Sequence, residues 1–156
     1  MSYLRAIVAL HLLSRKARIL TTAIAIVVTA WPNSALYAAE QDRSVIGNWK
    51  LTAVLDSSEI TALDDEDARK LVGQVLHIGA DWIKLGGRVC NEPDFEVTRA
   101  ETKDYFARRA HASADRLGLP NPVTAVHISC TYVYKKAAGR LVVHWKGFFF
   151  DAVAQK

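Results

Sequence analysis

His77, His111, His127 and His144, with Cys90 and Cys130, are the side chains beyond position 38 best suited to bind a metal or to act as base or nucleophile. Their spacing excludes the compact motifs. No two histidines form the close pair that a zinc-binding helix requires. His127 and His144 lie in two alternating segments, each opposite the more apolar side, so they could face each other across neighbouring strands. Two imidazoles without a carboxylate are too few ligands, and two distant cysteines do not make a site either; no metal site is expected. Ser129 lacks the Gly-x-Ser-x-Gly frame of a nucleophile turn. The acidic run Asp64 to Asp67 lacks the alternate-oxygen spacing and the glycine of a calcium loop. Gly86-Gly87 lacks the lysine and the following helix of a phosphate loop, and reads as a β-turn or bulge. No catalytic residue and no cofactor follow. The chain is not read as an enzyme, although a site assembled from distant positions stays open.

Aromatic residues are dense: Trp49, Trp82, Trp145, Tyr132, Tyr134 and the run Phe148-Phe149-Phe150. Core packing accounts for most of them. The alternative use is to line the mouth of an apolar pocket, and Trp82, Tyr132 and Trp145, with His127 and His144, are the candidates for it. In a strand, Phe149 must face away from Phe148 and Phe150. Both faces of that strand are then apolar, so one is covered by a helix or is open to a partner.

The compartment follows from the first forty residues. Arg5, Arg15, Lys16 and Arg18 precede an uncharged apolar run of 12 residues, Ile19 to Ala30. Trp31, Pro32 and Asn33 break it, and small residues follow at Ser34, Ala35, Ala38 and Ala39. These are the three parts of a secretory signal, so residues 1–38 are read as a signal peptide cut after Ala38 or Ala39. The run falls short of the roughly 20 apolar residues of a permanent span. An uncleaved anchor is the alternative, favoured by the earlier apolar stretch Ala6 to Leu13. In both cases the remainder lies beyond the inner membrane, periplasmic or secreted, and meets the membrane only through an uncleaved leader.

Charge and cysteine usage then change meaning. The chain has 20 Lys plus Arg against 16 Asp plus Glu, and residues 1–38 hold four basic and no acidic ones. The remainder is formally neutral, so no nucleic-acid partner is expected. Two cysteines in an exported chain most often pair; a Cys90–Cys130 disulfide is expected, with two buried thiols as the alternative.

The scaffold reads as follows. Residues 46–55 alternate as a half-buried strand, with Trp49, Leu51, Ala53 and Leu55 on one side. Thr61 and Asp64 have capping-box spacing, acids fill the first turns, and Gly73 stops a short helix. Residues 74–79 and 81–89 read as two strands, and 95–98 as a short one. Residues 101–117 read as a helix with Phe106, Ala110, Ala114 and Leu117 along one side. Val123 to Tyr134 reads as one strand, followed by a turn at 137–139, a strand over 141–146 and a last strand over 148–153. Seven or eight antiparallel strands with short turns favour a meander that closes into a barrel.

Gly47-Asn48-Trp49 opens the first strand. Here the chain resembles the lipocalin-like (calycin-type) small β-barrels, in which a Gly-x-Trp motif opens the first strand. The resemblance implies that Trp49 closes the barrel base and packs on a basic residue from a late strand, for which Arg140 is the candidate. The run Ile60 to Gly73, followed by a hairpin and a cysteine with a nearby proline, is similar to small exported bacterial proteins. The fold class expected is mainly β (α+β): one disulfide-stapled domain over residues 39–156, an antiparallel lipocalin-like barrel or strongly curved sheet with two helices. Two functions fit it. One is a periplasmic binding protein that holds a small apolar or amphipathic ligand. The other is an inhibitor or immunity-type protein that blocks a cell-wall hydrolase with an inserted loop. A deep apolar pocket favours the first; a filled barrel with a rigid loop near Cys90 to Phe95 favours the second.

Overall fold

The computed structural model describes residues 39–156, so the leader expected at 1–38 lies outside the described residues. The architecture is mainly β. Nine antiparallel strands form a curled half-barrel, accompanied by two short helices. The strands are β1 (Gly47–Ser57), β2 (Val75–Ile78), β3 (Trp82–Leu85), β4 (Arg88–Asn91), β5 (Glu96–Ala100), β6 (Val123–His127), β7 (Tyr132–Ala137), β8 (Arg140–Trp145) and β9 (Phe148–Gln155). Helix α1 (Asp65–Leu71) connects β1 to β2; α2 (Thr102–Tyr105) follows β5 and runs on as a π-helical turn over Phe106–Ala110. No helix among the described residues is long and apolar enough to cross a membrane.

The strand order is β4-β3-β2-β1-β9-β8-β7-β6-β5. Each strand therefore pairs with its sequence neighbour, and the last pairs with the first. The single missing pair is β4 with β5. Across that seam the Cys90–Cys130 disulfide joins β4 to the β6–β7 turn. The Ser129 hydroxyl reinforces it, donating to the carbonyls of Asn91 and Glu92 at 3.2 and 2.9 Å. The free edge of β5 is occupied by the backbone just before β1: the Val97 amide donates to the Glu40 carbonyl and the Asp42 amide to the Phe95 carbonyl. Arg99–Glu40 and Lys135–Asp42 ion pairs hold this strap in place.

Two apolar clusters sandwich the sheet. The inner one fills the concave side with Trp49, Leu51, Leu76, Ile83, Leu85, Val126, Val133, Trp145, Phe148 and Phe150. The outer one packs Tyr105, Phe106, Ala110 and Leu117 onto Tyr134, Val142 and Phe149. The Phe106 ring meets Tyr134 at 4.8 Å and Phe149 at 5.6 Å. The three consecutive phenylalanines thus divide between the clusters as strand alternation requires, and the segment over 102–117 covers the second face. Each such side chain removed from water contributes about 1.5–3 kcal/mol.

The elements differ from the sequence expectation in several places, each for a local reason. In β1 a bulge falls at Thr52, because Leu51 pairs with Ala152 and Ala53 with Asp151. It shifts the inward parity, so Val54 joins the inner cluster and Leu55 the outer one. Helix α1 is capped by Asp64, which accepts from the Asp67 amide at 2.7 Å; the Thr61 hydroxyl donates to the Leu63 carbonyl instead. Residues 81–89 do not form one strand: Gly86-Gly87 is the two-residue turn of the β3–β4 hairpin, with Leu85 paired to Arg88. Residues 123–134 form the two strands β6 and β7. The chain reverses at Ile128–Thr131, where the Ile128 amide donates to the Thr131 carbonyl and Ser129 has φ 62°. The helix expected over 101–117 ends at His111, whose φ of 45° is left-handed.

The disulfide spans 40 residues of sequence. A closed loop of that length lowers the entropy of the unfolded chain enough to stabilise the fold by about 3–4 kcal/mol. The double variant Cys90→Ser/Cys130→Ser should lose that amount in urea unfolding. A loss below about 1 kcal/mol would show that the seam is held by packing alone.

Candidate functional site

The seam creates an unusual loop. Residues 91–95 leave β4, cross the gap and enter β5. Glu92 and Phe95 both adopt left-handed backbone (φ 55° each), which for side chains other than glycine is uncommon and needs support from the surroundings. That support is present. Cys90 anchors the start. The Glu92 amide donates to the Asp81 carbonyl at 2.9 Å. Phe95 is fully buried, and the Arg43 guanidinium lies over its ring at 5.0 Å. Asn91, Glu92 and Asp94 remain exposed. The loop is a fixed, acidic tip.

Beside it runs an open groove with a cavity volume of about 660 Å³. Its floor is a cross-strand row on the outer face of the sheet: Glu96 on β5 opposes His127 on β6, and His127 opposes Tyr132 on β7. Asp94 and Glu96 form one wall; Arg108 and Arg109, from the π-helical turn, line the other. The His127 ring lies 4.7 Å from Tyr132, and its Nδ1 is 2.8 Å from an Asp94 carboxylate oxygen. Partial burial would raise the Asp94 pKa, but the hydrogen bond and charge of His127 outweigh it, and the carboxyl titrates below its usual range.

The row continues to His144 on β8, which opposes Tyr132 and Phe149. His127 and His144 therefore do not face each other on adjacent strands, because Tyr132 stands between them. His144 is stacked on Phe149 at 4.5 Å, and burial pushes its pKa down, which keeps the imidazole neutral. Its Nε2 lies 3.4 Å from the Ser58 hydroxyl.

Of the five residues expected to ring a pocket, His127 and Tyr132 share this groove. Trp82 stands 44% exposed on β3, beside His77 at 6.4 Å. Trp145 is 4% exposed and belongs to the inner cluster. Asp94, Glu96, Arg108 and Arg109 complete the groove without having been singled out from the sequence. The alternation of β5 could have placed Glu96 had its pairing with β6 been drawn. Nothing in the sequence brings the two arginines there, since the π-helical turn positions them.

The barrel end near β1 is the second polar site. Trp49 is nearly buried, and its Nε1 donates to the Val45 carbonyl at 2.7 Å. Gly47, just before it, has φ 150°, in the region that favours glycine, and a side chain there would stand against the indole, its Cβ 3.8 Å from Trp49 Nε1. On β8 Arg140 opposes Val153 of β9, whereas on β1 Trp49 opposes Ala154 of β9, so the two side chains leave the sheet on opposite faces. The Arg140 guanidinium donates to the buried Asp151 carboxylate, as Lys136 does at 3.0 Å and Thr52 at 2.9 Å. These partners outweigh the cost of burial and lower the Asp151 pKa. At the strap, burial likewise opposes ionisation of Asp42, but Lys135 and Ser44 bring its pKa down to about 2.

The chain matches no protein-family model, no curated protein and no solved structure.

Both aspartates have folded pKa values below the unfolded ones. Their stabilisation is complete above the unfolded pKa, near 4, and is lost as pH falls through the folded value. For Asp42 the window runs from pH 4 down to about 2. The melting temperature should therefore fall steeply over that range. Asp42→Asn should start lower at pH 6 and decline less, which acid titration of thermal unfolding followed by circular dichroism would read.

Proposed function

We propose that this protein is an exported binding module of lipocalin-like build that acts through its surface, as an inhibitor or immunity-type protein against a cell-wall hydrolase. One observation carries the reading: the concave side of the sheet is filled. Trp145, Phe148, Phe150, Ile83, Leu85 and Val126 are each at most 4% exposed there. A small apolar ligand held inside the barrel would have to displace close-packed side chains. The stapled tip at Asn91 to Asp94 and its groove offer a partner a contact surface that is rigid before it binds, and so little ordering entropy is lost on association. The meander that returns to β1, with Trp49 at one end, supports the lipocalin-like build, and the disulfide supports an oxidising compartment. The leader read at residues 1–38 supports a place in the periplasm or outside the cell.

The test is purification of the protein from its own host, followed by native mass spectrometry and assay of hydrolysis. A hydrolase should co-purify, its activity on cell-wall material should fall when the protein is added, and Glu92→Arg should abolish both effects while leaving the melting temperature unchanged. A protein that carries a stoichiometric small molecule and no partner would overturn the proposal in favour of ligand carriage.

A further inference from the structure

We propose that Asp94, Glu96 and His127 form a binding site for one divalent transition-metal ion of the zinc class, at the mouth of the outer groove. The inference does not rest on the inhibitor reading. One ligand atom from each residue lies within 4.8 Å of the other two. Donors around a tetrahedral ion with bonds near 2.1 Å stand about 3.4 Å apart, so the hydrogen-bonded Asp94 oxygen and His127 Nδ1, now 2.8 Å apart, must open slightly to admit the ion, while the exposed Glu96 side chain closes in by rotation.

Three features separate this cluster from a chance group of surface acids. It contains an imidazole, the donor that a carboxylate-only surface cluster lacks and that selects zinc-class ions over magnesium or calcium. It is assembled from separately held elements: β5 and β6 place Glu96 opposite His127, and the strained loop, pinned by buried Phe95 and by the disulfide, places Asp94. Among the described residues neither Asp94 nor Glu96 forms an ion pair with a lysine or arginine, and the one partner of Asp94 is the His127 ring inside the cluster. Arg108, on the far wall, is already engaged by Asp104 at 2.8 Å. A dication would balance the two carboxylates. No metal was expected from the sequence, because two histidines lacked a carboxylate; the fold supplies two carboxylates to one of those histidines.

The coordination positions left open face the groove, where water or an anionic group of a bound molecule would occupy them.

The experiment is calorimetric titration of ZnCl₂ into the full-chain protein after treatment with EDTA and dialysis, with His ring nitrogens followed by NMR. One equivalent should bind, and the His127 ring nitrogens should shift. His127→Gln and Glu96→Gln should each weaken binding about tenfold or more, while His77→Gln should not. Glu96 forms no ion pair in the fold, so its variant remains informative even if replacement of Asp94 or His127 disturbs the loop. No saturable binding, or equal loss of binding in His77→Gln and His127→Gln, would overturn the proposal.

Discussion

The missing ladder between β4 and β5 is the constraint on which the rest of the structure depends. Every other neighbouring pair in the meander exchanges backbone hydrogen bonds, including the first strand with the last. At the seam the chain does not turn back as a hairpin. The left-handed Glu92 and Phe95 carry it across the gap, and Phe95 drops into the inner cluster. The two edges exposed by this choice are handled differently. The strap over residues 40–42 takes up the free edge of β5, whereas β4 is short and is held covalently through Cys90. Unpaired edges invite pairing with other chains, and a short stapled edge offers little for such pairing. What results from the seam is also what is most available for function: an acidic tip whose backbone is fixed on both sides.

The second determinant is that β6 to β9 are apolar on both faces. A sheet of that kind requires two covers. The inner cover is the opposite wall of the curled sheet itself. The outer cover is the segment from Thr102 to Leu117, which reaches only part of the face. The uncovered part, over β5 to β7, is the groove. The outer cover also explains the polar network at Asp151. That residue faces outward from β9 beside buried Phe149, and a carboxylate so enclosed is tolerable only with several donors. The bulge at Thr52 turns a hydroxyl toward it, and Lys136 and Arg140 supply the charges. Arg140 is thus engaged by a buried acid on the outer face.

Strand alternation made β1, β8 and β9 legible, and the distribution of Phe148, Phe149 and Phe150 was readable because period two leaves no other arrangement. The disulfide was readable once residues 1–38 were read as an export signal. The turns were harder. Glycine and proline are the usual marks of reversal, and Gly147 does mark the β8–β9 turn, but the bends at His111 and Ser129 are made by other residues at positive φ. The stretch Ile128-Ser129-Cys130-Thr131 keeps an alternating pattern through a tight turn, so two strands read as one. That single omission also hid the groove. On one continuous strand His127 and Tyr132 fall on opposite sides, five residues apart. A hairpin between them resets the parity and makes them cross-strand partners on one face. The helical period over 101–117 identified the right contacts, since Phe106, Ala110, Ala114 and Leu117 all meet the outer cluster, although the helix itself ends at His111.

Formal neutrality over residues 39–156 describes the surface poorly, because it says nothing of where the charges lie. Many are consumed locally: Arg69 with Asp65, Lys70 with Glu66 and Asp67, Arg116 with Asp56. Around the seam the arrangement is different. Glu92, Asp94 and Glu96 lie on the loop and the β5 side, while the helical side across the groove is mixed, with Glu101 and Asp104 beside Arg109 and Arg108, the last paired to Asp104. Interactions between exposed charges are screened over roughly 8 Å at physiological ionic strength, so a molecule at a distance meets a neutral object and only one entering the groove feels the two walls separately. Such a site exerts little long-range steering and selects instead by orientation at contact. The fixed backbone of the tip and the cross-strand register of the floor set that orientation, and both trace back to the strand pair that the chain leaves unmade.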